Sequence, residues 1–282
     1  MPHWPGIPWM RRLRIRKNLF LQSRTGYFFY AVNKDKKIFV LSEAENQLNK
    51  SLSEELNFPL LTQQEINQAK DAFFLSWQEG RLTLFDTNAP RKGVNVEFDA
   101  RCTEQNSWPA PKKGPLAQAM GRKTQTVIDA TAGWGQDCFH IFRMGYQVSA
   151  IERSPVMAAL LQDGFSRLER QSWMQQLQLN SPELIIGNAI EVLNTLAYHP
   201  DCIYLDPMFP SKRKKSALAK KPMVLLRGIA GDDEDRQKLF DCAWQAAEKR
   251  VVVKSPDYAE SLGGKPDESF AGKLVRYDVY LK

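Results

Sequence analysis

Apolar and polar positions alternate in two different ways along the chain, and the change falls near residue 115. Beyond it, short apolar runs alternate with segments whose apolar residues recur at helical spacing. The runs predict strands at 126–130, 147–152, 183–189, 202–206, 250–255 and 273–281. The segments between them predict helices at 135–144, 155–175, 189–197 and 234–248. Strands that alternate with helices form βαβ units, so this part predicts a mostly parallel, doubly wound α/β sheet.

The first part of the chain predicts a small α+β domain instead. Apolar runs at 26–32 and 37–41 predict a β-hairpin, and alternation predicts strands at 81–85 and 94–98. A helical spacing after a Thr62 cap predicts a helix over 62–77. The Pro-rich segment 105–115 is the best linker candidate. We therefore expect a basic arm at 1–24, an α+β domain at 25–112 and the α/β domain at 113–282.

Composition excludes a largely disordered or collagen-like chain, because 43% of the 282 residues are hydrophobic and 25% are charged. A chain of this length buries a full core without disulfide staples. The formal net charge of +7 is concentrated, since residues 1–40 hold nine basic residues and one acidic residue. A basic balance permits a nucleic acid partner without requiring one.

Cysteine spacing indicates a reducing compartment and no metal. The four cysteines are far apart in the chain: Cys102, Cys138, Cys202 and Cys242. This spacing contains no CxxC pair and so disfavours a zinc or redox site. No stretch approaches the roughly 18 apolar residues of a membrane-spanning helix, and no signal-peptide pattern is present. We expect a cytoplasmic protein that uses neither a membrane nor a metal.

A glycine-rich turn follows the first predicted α/β strand, with Asp129 at the strand end and Gly133 and Gly135 in the turn. Such glycines let the backbone approach a ligand closely, and ligands bind beyond the carboxyl ends of parallel strands. The next strand ends at Glu152, where a carboxylate is placed to accept hydrogen bonds from ribose hydroxyls. Together these features predict a site for an adenosine-containing ligand. Cys138 stands where a dinucleotide fingerprint has its third glycine, which weakens an NAD interpretation.

A further predicted strand ends in Asp206-Pro207-Met208-Phe209. This segment resembles the catalytic signature of amino-methyltransferases that act on exocyclic base nitrogens. Such an amine is a poor nucleophile because its lone pair is delocalised into the ring. Hydrogen bonds from the amine to Asp206 and to the Pro207 carbonyl would favour a more tetrahedral nitrogen, and Phe209 would stack on the base. Asp206, Pro207 and Phe209 are therefore the catalytic candidates.

A basic run follows this segment, and it contains no acidic residue. Its six basic residues are Lys212, Arg213, Lys214, Lys215, Lys220 and Lys221. Beside a base pocket, such a run predicts contacts with RNA phosphates whose affinity falls as salt rises. Lys254 and the segment 255–258 lie at the end of the next strand and are expected to complete the rim.

Four segments carry a resemblance to a known family. They are VIDATAGWGQD (127–137), IERSPVMAALLQDG (151–164), YLDPMFPSKRKKSALAKK (204–221) and RVVVKSPDYA (250–259). They resemble the RsmJ family, bacterial enzymes that methylate the exocyclic N2 of a guanine in small-subunit (16S) ribosomal RNA with S-adenosylmethionine (SAM). The resemblance is close over about 115–282. It implies a Rossmann-like class I methyltransferase fold and an RNA or assembled-subunit partner.

The family's cofactor contacts fall on matching positions of this chain. The resemblance implies contacts through Gln136, Asp137, Glu152, Arg153, Asn188, Ala189 and Asp206. The turn residues Asp129, Gly133 and Gly135 complete the candidate cofactor site. Gln136 replaces the family's arginine, and Asn188-Ala189 replaces a Ser-Ser pair.

The sequence leaves other functions open. The signature at 206–209 does not encode the polymer, so the acceptor of a methyl group is also compatible with DNA or protein. An NAD-dependent dehydrogenase shares the strand, turn and helix arrangement. A non-catalytic RNA-binding module that retains the fold is the third alternative.

Overall fold

The computed structural model describes residues 37–42, 47–98, 108–209 and 235–282. The predicted arm at 1–24, the predicted strand at 26–32 and the six basic residues between 212 and 221 lie outside the described residues. Helices and strands are numbered here in chain order over the described ranges. Within those ranges no helix is both long and apolar enough to cross a membrane.

The first four strands form one sheet. They are β1 (Lys37–Ser42), β2 (Leu60–Thr62), β3 (Ala72–Gln78) and β4 (Arg81–Asp86). The strand order is β2-β1-β3-β4, with β1 parallel to both neighbours and β3 antiparallel to β4. Helix α1 (Gln47–Leu56) connects β1 to β2, and α2 (Gln63–Gln68) connects β2 to β3. This part of the chain therefore mixes helices with a largely parallel sheet.

The predicted helix over 62–77 is wrong in its second half. Thr62 does cap a helix, because its hydroxyl oxygen and backbone N–H exchange hydrogen bonds with Glu65. That helix ends at Gln68, and the second half of the predicted segment is β3. β3 lies between β1 and β4 and buries the consecutive apolar residues 73–75. A fully buried apolar run does not distinguish a strand from a helix, which explains the error.

The predicted strand at 94–98 is also wrong. Within this segment one isolated bridge, between Leu84 and Val94, is formed. Val96 and Phe98 are nevertheless buried, and the Phe98 ring stacks on Phe165 at a centroid distance of 5.3 Å. The alternation therefore reflects packing of an extended segment onto the protein core, with a single bridge to β4.

A seven-stranded sheet occupies the rest of the described chain. Its strands are β5 (Thr126–Asp129), β6 (Gln147–Glu152), β7 (Glu183–Ile186), β8 (Cys202–Leu205), β9 (Arg250–Pro256), β10 (Glu268–Ala271) and β11 (Val275–Leu281). The order is β10-β11-β9-β8-β5-β6-β7. β5 to β9 are mutually parallel, whereas β11 runs antiparallel to β9 and β10.

Within the described ranges, six helices accompany this sheet. They are α3 (Pro115–Met120), α4 (Gln136–Arg143), α5 (Pro155–Glu169), α6 (Ser172–Gln176), α7 (Ala189–Asn194) and α8 (Arg236–Ala246). The predicted α/β fold is confirmed. The predicted helix over 155–175 is two helices, α5 and α6, and β10 was not predicted.

Neighbouring residues on the central strands point into different cores, as expected for a sheet covered on both faces. Val127 belongs to a core that includes α3, α4, α5 and side chains of the four-stranded sheet. Ile128 belongs to a second core built with α7 and α8. The first core therefore unites the two sheets in the unit formed by residues 31–282.

The chain order reverses between β5 and β8, which are neighbours in the sheet although they are far apart in sequence. In open α/β sheets, such a switch point leaves a crevice outside the carboxyl ends of the strands. Asp129 ends β5 and Asp206 directly follows β8, so both carboxyl groups lie at this crevice. Glu152 ends β6 at the same edge.

Asp163 links the two sheets through buried polar contacts. Its carboxylate accepts hydrogen bonds from the Leu82 N–H at 3.2 Å and from Arg167 Nε at 3.0 Å. We expect Asp163→Ala to lower the free energy of unfolding by about 3 kcal/mol, because it leaves a half-buried guanidinium and a buried amide without this partner. Urea unfolding followed by circular dichroism measures the change.

The matched control is Asp241→Ala, which removes an exposed carboxylate on α8 that accepts only from Gln237 of the same helix among the described residues. We expect it to change the free energy of unfolding by less than about 0.5 kcal/mol. Equal effects of the two substitutions would contradict the role assigned to Asp163.

Candidate active site

The turn between β5 and α4 requires glycine at its end. Gly135 caps α4 with a φ of 72°, and its N–H donates to the Ala132 carbonyl at 2.7 Å. A Cβ atom at Gly135 would lie 2.5 Å from Leu161 Cδ2. Both the backbone conformation and the close approach of α5 therefore exclude a larger residue. The turn brings its backbone to the edge of the crevice.

Glu152 fastens this turn to the end of β6. Its carboxylate accepts the Gly133 N–H at 3.0 Å and the Ser154 N–H at 2.7 Å. The side chain is buried, and burial raises the pKa of Glu152 to about 7, although the two backbone hydrogen bonds oppose the rise. Each carboxylate oxygen has a second acceptor position beyond these bonds. Glu152 is therefore both a structural anchor and an available acceptor at the strand end.

Asp129 connects the turn to the neighbouring strand. Its carboxylate accepts the Thr131 N–H at 3.0 Å, and the Thr131 hydroxyl oxygen accepts the Asp206 N–H at 2.6 Å. Burial raises the pKa of Asp129 to about 8, and the carboxylates of Asp137 and Asp206 add to the rise. Sequence analysis did not identify Thr131, although its place inside the glycine-rich turn was a signal for it.

A bridge of charged groups spans the crevice wall. Lys254 Nζ lies 2.6 Å from Asp137 Oδ2 and 2.9 Å from Asp206 Oδ2. The Tyr204 hydroxyl donates to the same Asp137 oxygen at 2.6 Å. The four side chains come from α4, β8, the residue after β8, and β9. We refer to Tyr204, Asp137, Lys254 and Asp206 as the charged bridge.

Burial and neighbouring charges change the pKa values of Asp206, Lys254 and Tyr204. The pKa of Asp206 is raised to about 6, chiefly by desolvation and in part by the Asp137 carboxylate, although the Lys254 ammonium opposes the rise. Burial alone would lower the pKa of Lys254, but the two carboxylates raise it overall. The Lys254 ammonium is therefore charged at neutral pH. Burial and the adjacent carboxylates raise the pKa of Tyr204, which stays a neutral hydrogen-bond donor.

The remaining cofactor candidates lie at the same crevice, and each side chain makes a different local contact. Asn188 caps α7, because its side-chain oxygen accepts the Ile190 N–H at 2.9 Å. The Gln136 side chain donates to the Glu97 carbonyl at 3.0 Å. Arg153 lies 4.0 Å from Asp235, a crevice residue for which the sequence held no signal.

The acceptor candidates form another part of the wall. Pro207, Met208 and Phe209 line the crevice, and the Arg236 guanidinium lies 5.2 Å from the centre of the Phe209 ring. This distance is within the range of a cation–π contact. Tyr258, expected at the rim, also lines the crevice.

The crevice encloses a cavity of about 360 Å³. The structure brings nine of the ten predicted cofactor residues to its wall, and Gly135 supports the turn behind it. The lining holds more acidic than basic residues, since Arg153 and Lys254 face the acids Asp129, Asp137, Glu152, Asp206 and Asp235. A site of this size and charge suits a small ligand that carries hydroxyl groups and positive charge. Over the described ranges, no cluster of three or more acidic, histidine or cysteine side chains is arranged to hold a metal.

Comparisons with known proteins agree with this geometry. The SAM-dependent methyltransferase family model matches residues 59–282. A ribosomal RNA small subunit methyltransferase J from Shewanella amazonensis is 41% identical over 220 residues, which cover 74% of this chain and 87% of that protein. A protein of the same name from Tolumonas auensis is 40% identical over 233 residues, covering 79% of this chain and 91% of the other.

A solved structure extends the match to the fold. The crystal structure of a SAM-dependent methyltransferase from Neisseria gonorrhoeae superposes with a TM-score of 0.62 at 28% identity. The superposition covers 87% of this chain and 96% of that one. The chain therefore belongs to the family of SAM-dependent methyltransferases that includes the bacterial ribosomal RNA small subunit methyltransferases J.

Proposed function

We propose that this methyltransferase transfers the methyl group of SAM to the exocyclic N2 of a guanine in small-subunit (16S) ribosomal RNA. The observation that carries the proposal is the place of Asp206, directly after β8 and beside the turn after β5. The names of the related proteins support small-subunit ribosomal RNA as the acceptor. We also propose that the protein works in the cytoplasm, where such RNA is assembled into subunits.

The residues at the crevice fit SAM. Glu152 ends the strand after the glycine-rich turn, where a carboxylate can accept from the ribose hydroxyls. The carboxylates of Asp137 and Asp206 suit a cofactor that carries a sulfonium and an ammonium group, and the carboxyl group of Asp129 offers a hydrogen-bonding partner beside them. Gln136, Arg153, Asn188 and Ala189 complete the proposed contacts. Family membership and this charge favour SAM over NAD, whose pyrophosphate is anionic.

Asp206 and Pro207 would hold the acceptor amine. When bound, SAM supplies an electrophilic methyl group. The Asp206 carboxylate and the Pro207 carbonyl accept hydrogen bonds from the two amine N–H groups, which favours a tetrahedral nitrogen whose lone pair is less delocalised into the ring. After the methyl group has bonded to the nitrogen, Asp206 takes the proton that the amine loses. Phe209 packs against the base and fixes its distance from the crevice. Orientation of this kind supplies most of the acceleration, and no covalent enzyme intermediate is needed.

RNA phosphates would be held outside the crevice. We propose that the basic residues Lys212, Arg213, Lys214, Lys215, Lys220 and Lys221 make these contacts. They follow Phe209 closely in the chain, so they are tethered to the acceptor pocket. Their proposed role rests on sequence position and charge.

We expect Asp206→Ala to reduce methyl transfer at saturating SAM at least about a hundredfold, because the amine loses its acceptor. The assay supplies labelled SAM to small subunits and to naked 16S RNA from cells that lack this protein. Nucleoside mass spectrometry identifies the product as N2-methylguanosine. Asp241→Ala, an exposed carboxylate on α8, is the control and should keep full activity.

Retained methylation by Asp206→Ala would overturn the role of Asp206. Label in another nucleoside, in DNA or in protein would overturn the proposed acceptor. RNA binding without any binding of SAM would favour a non-catalytic module.

We expect Glu152→Ala to weaken the binding of SAM by at least about tenfold, because a good hydrogen-bond acceptor contributes on the order of 1.5 kcal/mol or more. Isothermal titration calorimetry measures the dissociation constant. Glu183→Ala is the matched control, since Glu183 starts β7 at the opposite end of the neighbouring strand. Unchanged affinity in Glu152→Ala would remove Glu152 from the cofactor site.

We expect replacement of Lys212, Arg213, Lys214 and Lys215 by serine to weaken RNA binding uniformly across sequences. Each lost phosphate contact should reduce the slope of log affinity against log salt by roughly 0.7–0.9. Filter binding at several salt concentrations measures the slope. The affinity for SAM serves as the control, and an unchanged slope would exclude these residues from phosphate binding.

A further inference from the structure

Lys254 occupies a position that the strand register fixes. β9 pairs in parallel with β8, and the last pair of that register joins Leu205 to Val253. Asp206 follows Leu205 and Lys254 follows Val253, so these two residues occupy neighbouring positions just beyond the last pair. Lys254 is 22% exposed, so most of its side chain is packed against protein. Its ammonium group reaches the crevice from the strand beside the acceptor candidates.

The ammonium group contacts one oxygen of Asp206 and leaves the other available. Lys254 Nζ is 2.9 Å from Asp206 Oδ2. Among the described residues, none donates a hydrogen bond to Oδ1. Lys254 is itself held by Asp137 at 2.6 Å, and Asp137 is held by the Tyr204 hydroxyl. This chain of contacts fixes the rotation of the Asp206 carboxylate.

Acid groups surround Asp206 on several elements. Those that face it or Lys254 are Asp137 on α4, Asp129 on β5, Tyr204 on β8 and Tyr277 on β11. Neighbouring carboxylates disfavour ionisation of one another. Among the described residues, Asp206 forms one ion pair, and its partner is Lys254. Removal of the Lys254 ammonium would leave these acidic groups without the positive charge that now lies between them.

The proposed reaction needs Asp206 in its ionised form. An ionised carboxylate accepts hydrogen bonds, whereas a protonated one presents an O–H donor. The acceptor amine is a donor of hydrogen bonds in this contact. A protonated Asp206 would therefore no longer accept the hydrogen bond from the amine in the required way.

We infer that Lys254 is a positioning residue, which keeps the Asp206 carboxylate ionised and aims its free oxygen at the acceptor amine. This inference rests on the proposed function, because it assigns Asp206 to the amine. Lys254 acts through Asp206 and need not touch the base. The same ion pair also explains why a lysine at the end of a central strand is not turned to solvent.

The test compares Lys254→Met and Lys254→Arg with Lys249→Met. Lys249 is a matched control, since its ammonium lies 2.6 Å from Asp201 at the opposite end of the same two strands. An opposite charge within about 4–6 Å lowers the pKa of a carboxyl group by about 1 to 3, so the loss of Lys254 should raise the pKa of Asp206 by about that amount. A smaller fraction of Asp206 is then ionised at neutral pH.

Two readouts follow this change. Carbon-13 NMR of labelled aspartate carboxyl groups, with Asp206→Asn for assignment, titrates Asp206 directly and uses no RNA. Single-turnover methyl transfer between pH 6 and 9 gives the second readout. We expect Lys254→Met to move the acidic limb of the rate profile to higher pH and to recover activity at pH 9. We expect Lys254→Arg, which keeps the positive charge, to resemble the wild type, as should Lys249→Met.

An unmoved Asp206 titration in Lys254→Met would overturn the inference. So would a rate that falls equally at every pH, because that is the behaviour of a merely structural residue. A wild-type protein that transfers no methyl group to small-subunit RNA would contradict the proposed function instead, while the NMR titration would still decide the role of Lys254.

Discussion

Carboxyl groups at the carboxyl ends of parallel strands are the constraint on which the rest of the site depends. Asp129 and Glu152 are both almost fully buried, which costs free energy unless each carboxyl group is hydrogen-bonded. The backbone N–H groups of Thr131, Gly133 and Ser154 supply those bonds. The hydrogen bonds to Asp129 and Glu152 therefore fix the conformation of the glycine-rich turn. Once the turn is fixed in this way, its backbone borders the crevice before any cofactor arrives.

The four-stranded sheet contributes to the site although none of its strands reaches the crevice lining. Asp163 ties α5 to the start of β4, and α5 packs against Gly135. The extended segment after β4 places Phe98 against Phe139 of α4 at a centroid distance of 4.7 Å. Movement of either contact would shift the helix that carries Asp137. The small sheet is thus a support for the cofactor turn as well as a separate layer.

Much of the α/β half could be predicted from the sequence, because its strands are short, apolar and flanked by clear turns. The site residues at strand ends followed from the same pattern, since parallel strands bring their carboxyl ends to one edge. The errors at 62–77 and 94–98 arose where burial in a shared core overrode local periodicity. In the α/β half, the break between α5 and α6 and the strand β10 were missed. The charged bridge was harder to foresee. Lys254 was expected at the rim, but its contact with Asp137 depends on how α4 lies against β9, which no local pattern contains.

The charge distribution also decides what can enter the crevice. Its lining is acidic, so it attracts a cationic cofactor and repels the phosphates of an RNA strand. A nucleotide can then approach only with its uncharged base directed inward and its phosphates kept outside. The chain supplies six basic residues soon after Phe209, and their charge suits those outer phosphates. Within the crevice, the ammonium of Lys254 lies between two carboxylates and is not directed at phosphate. The separation of acidic pocket and basic sequence thus favours a base turned out of its stack, with its amine presented to Asp206.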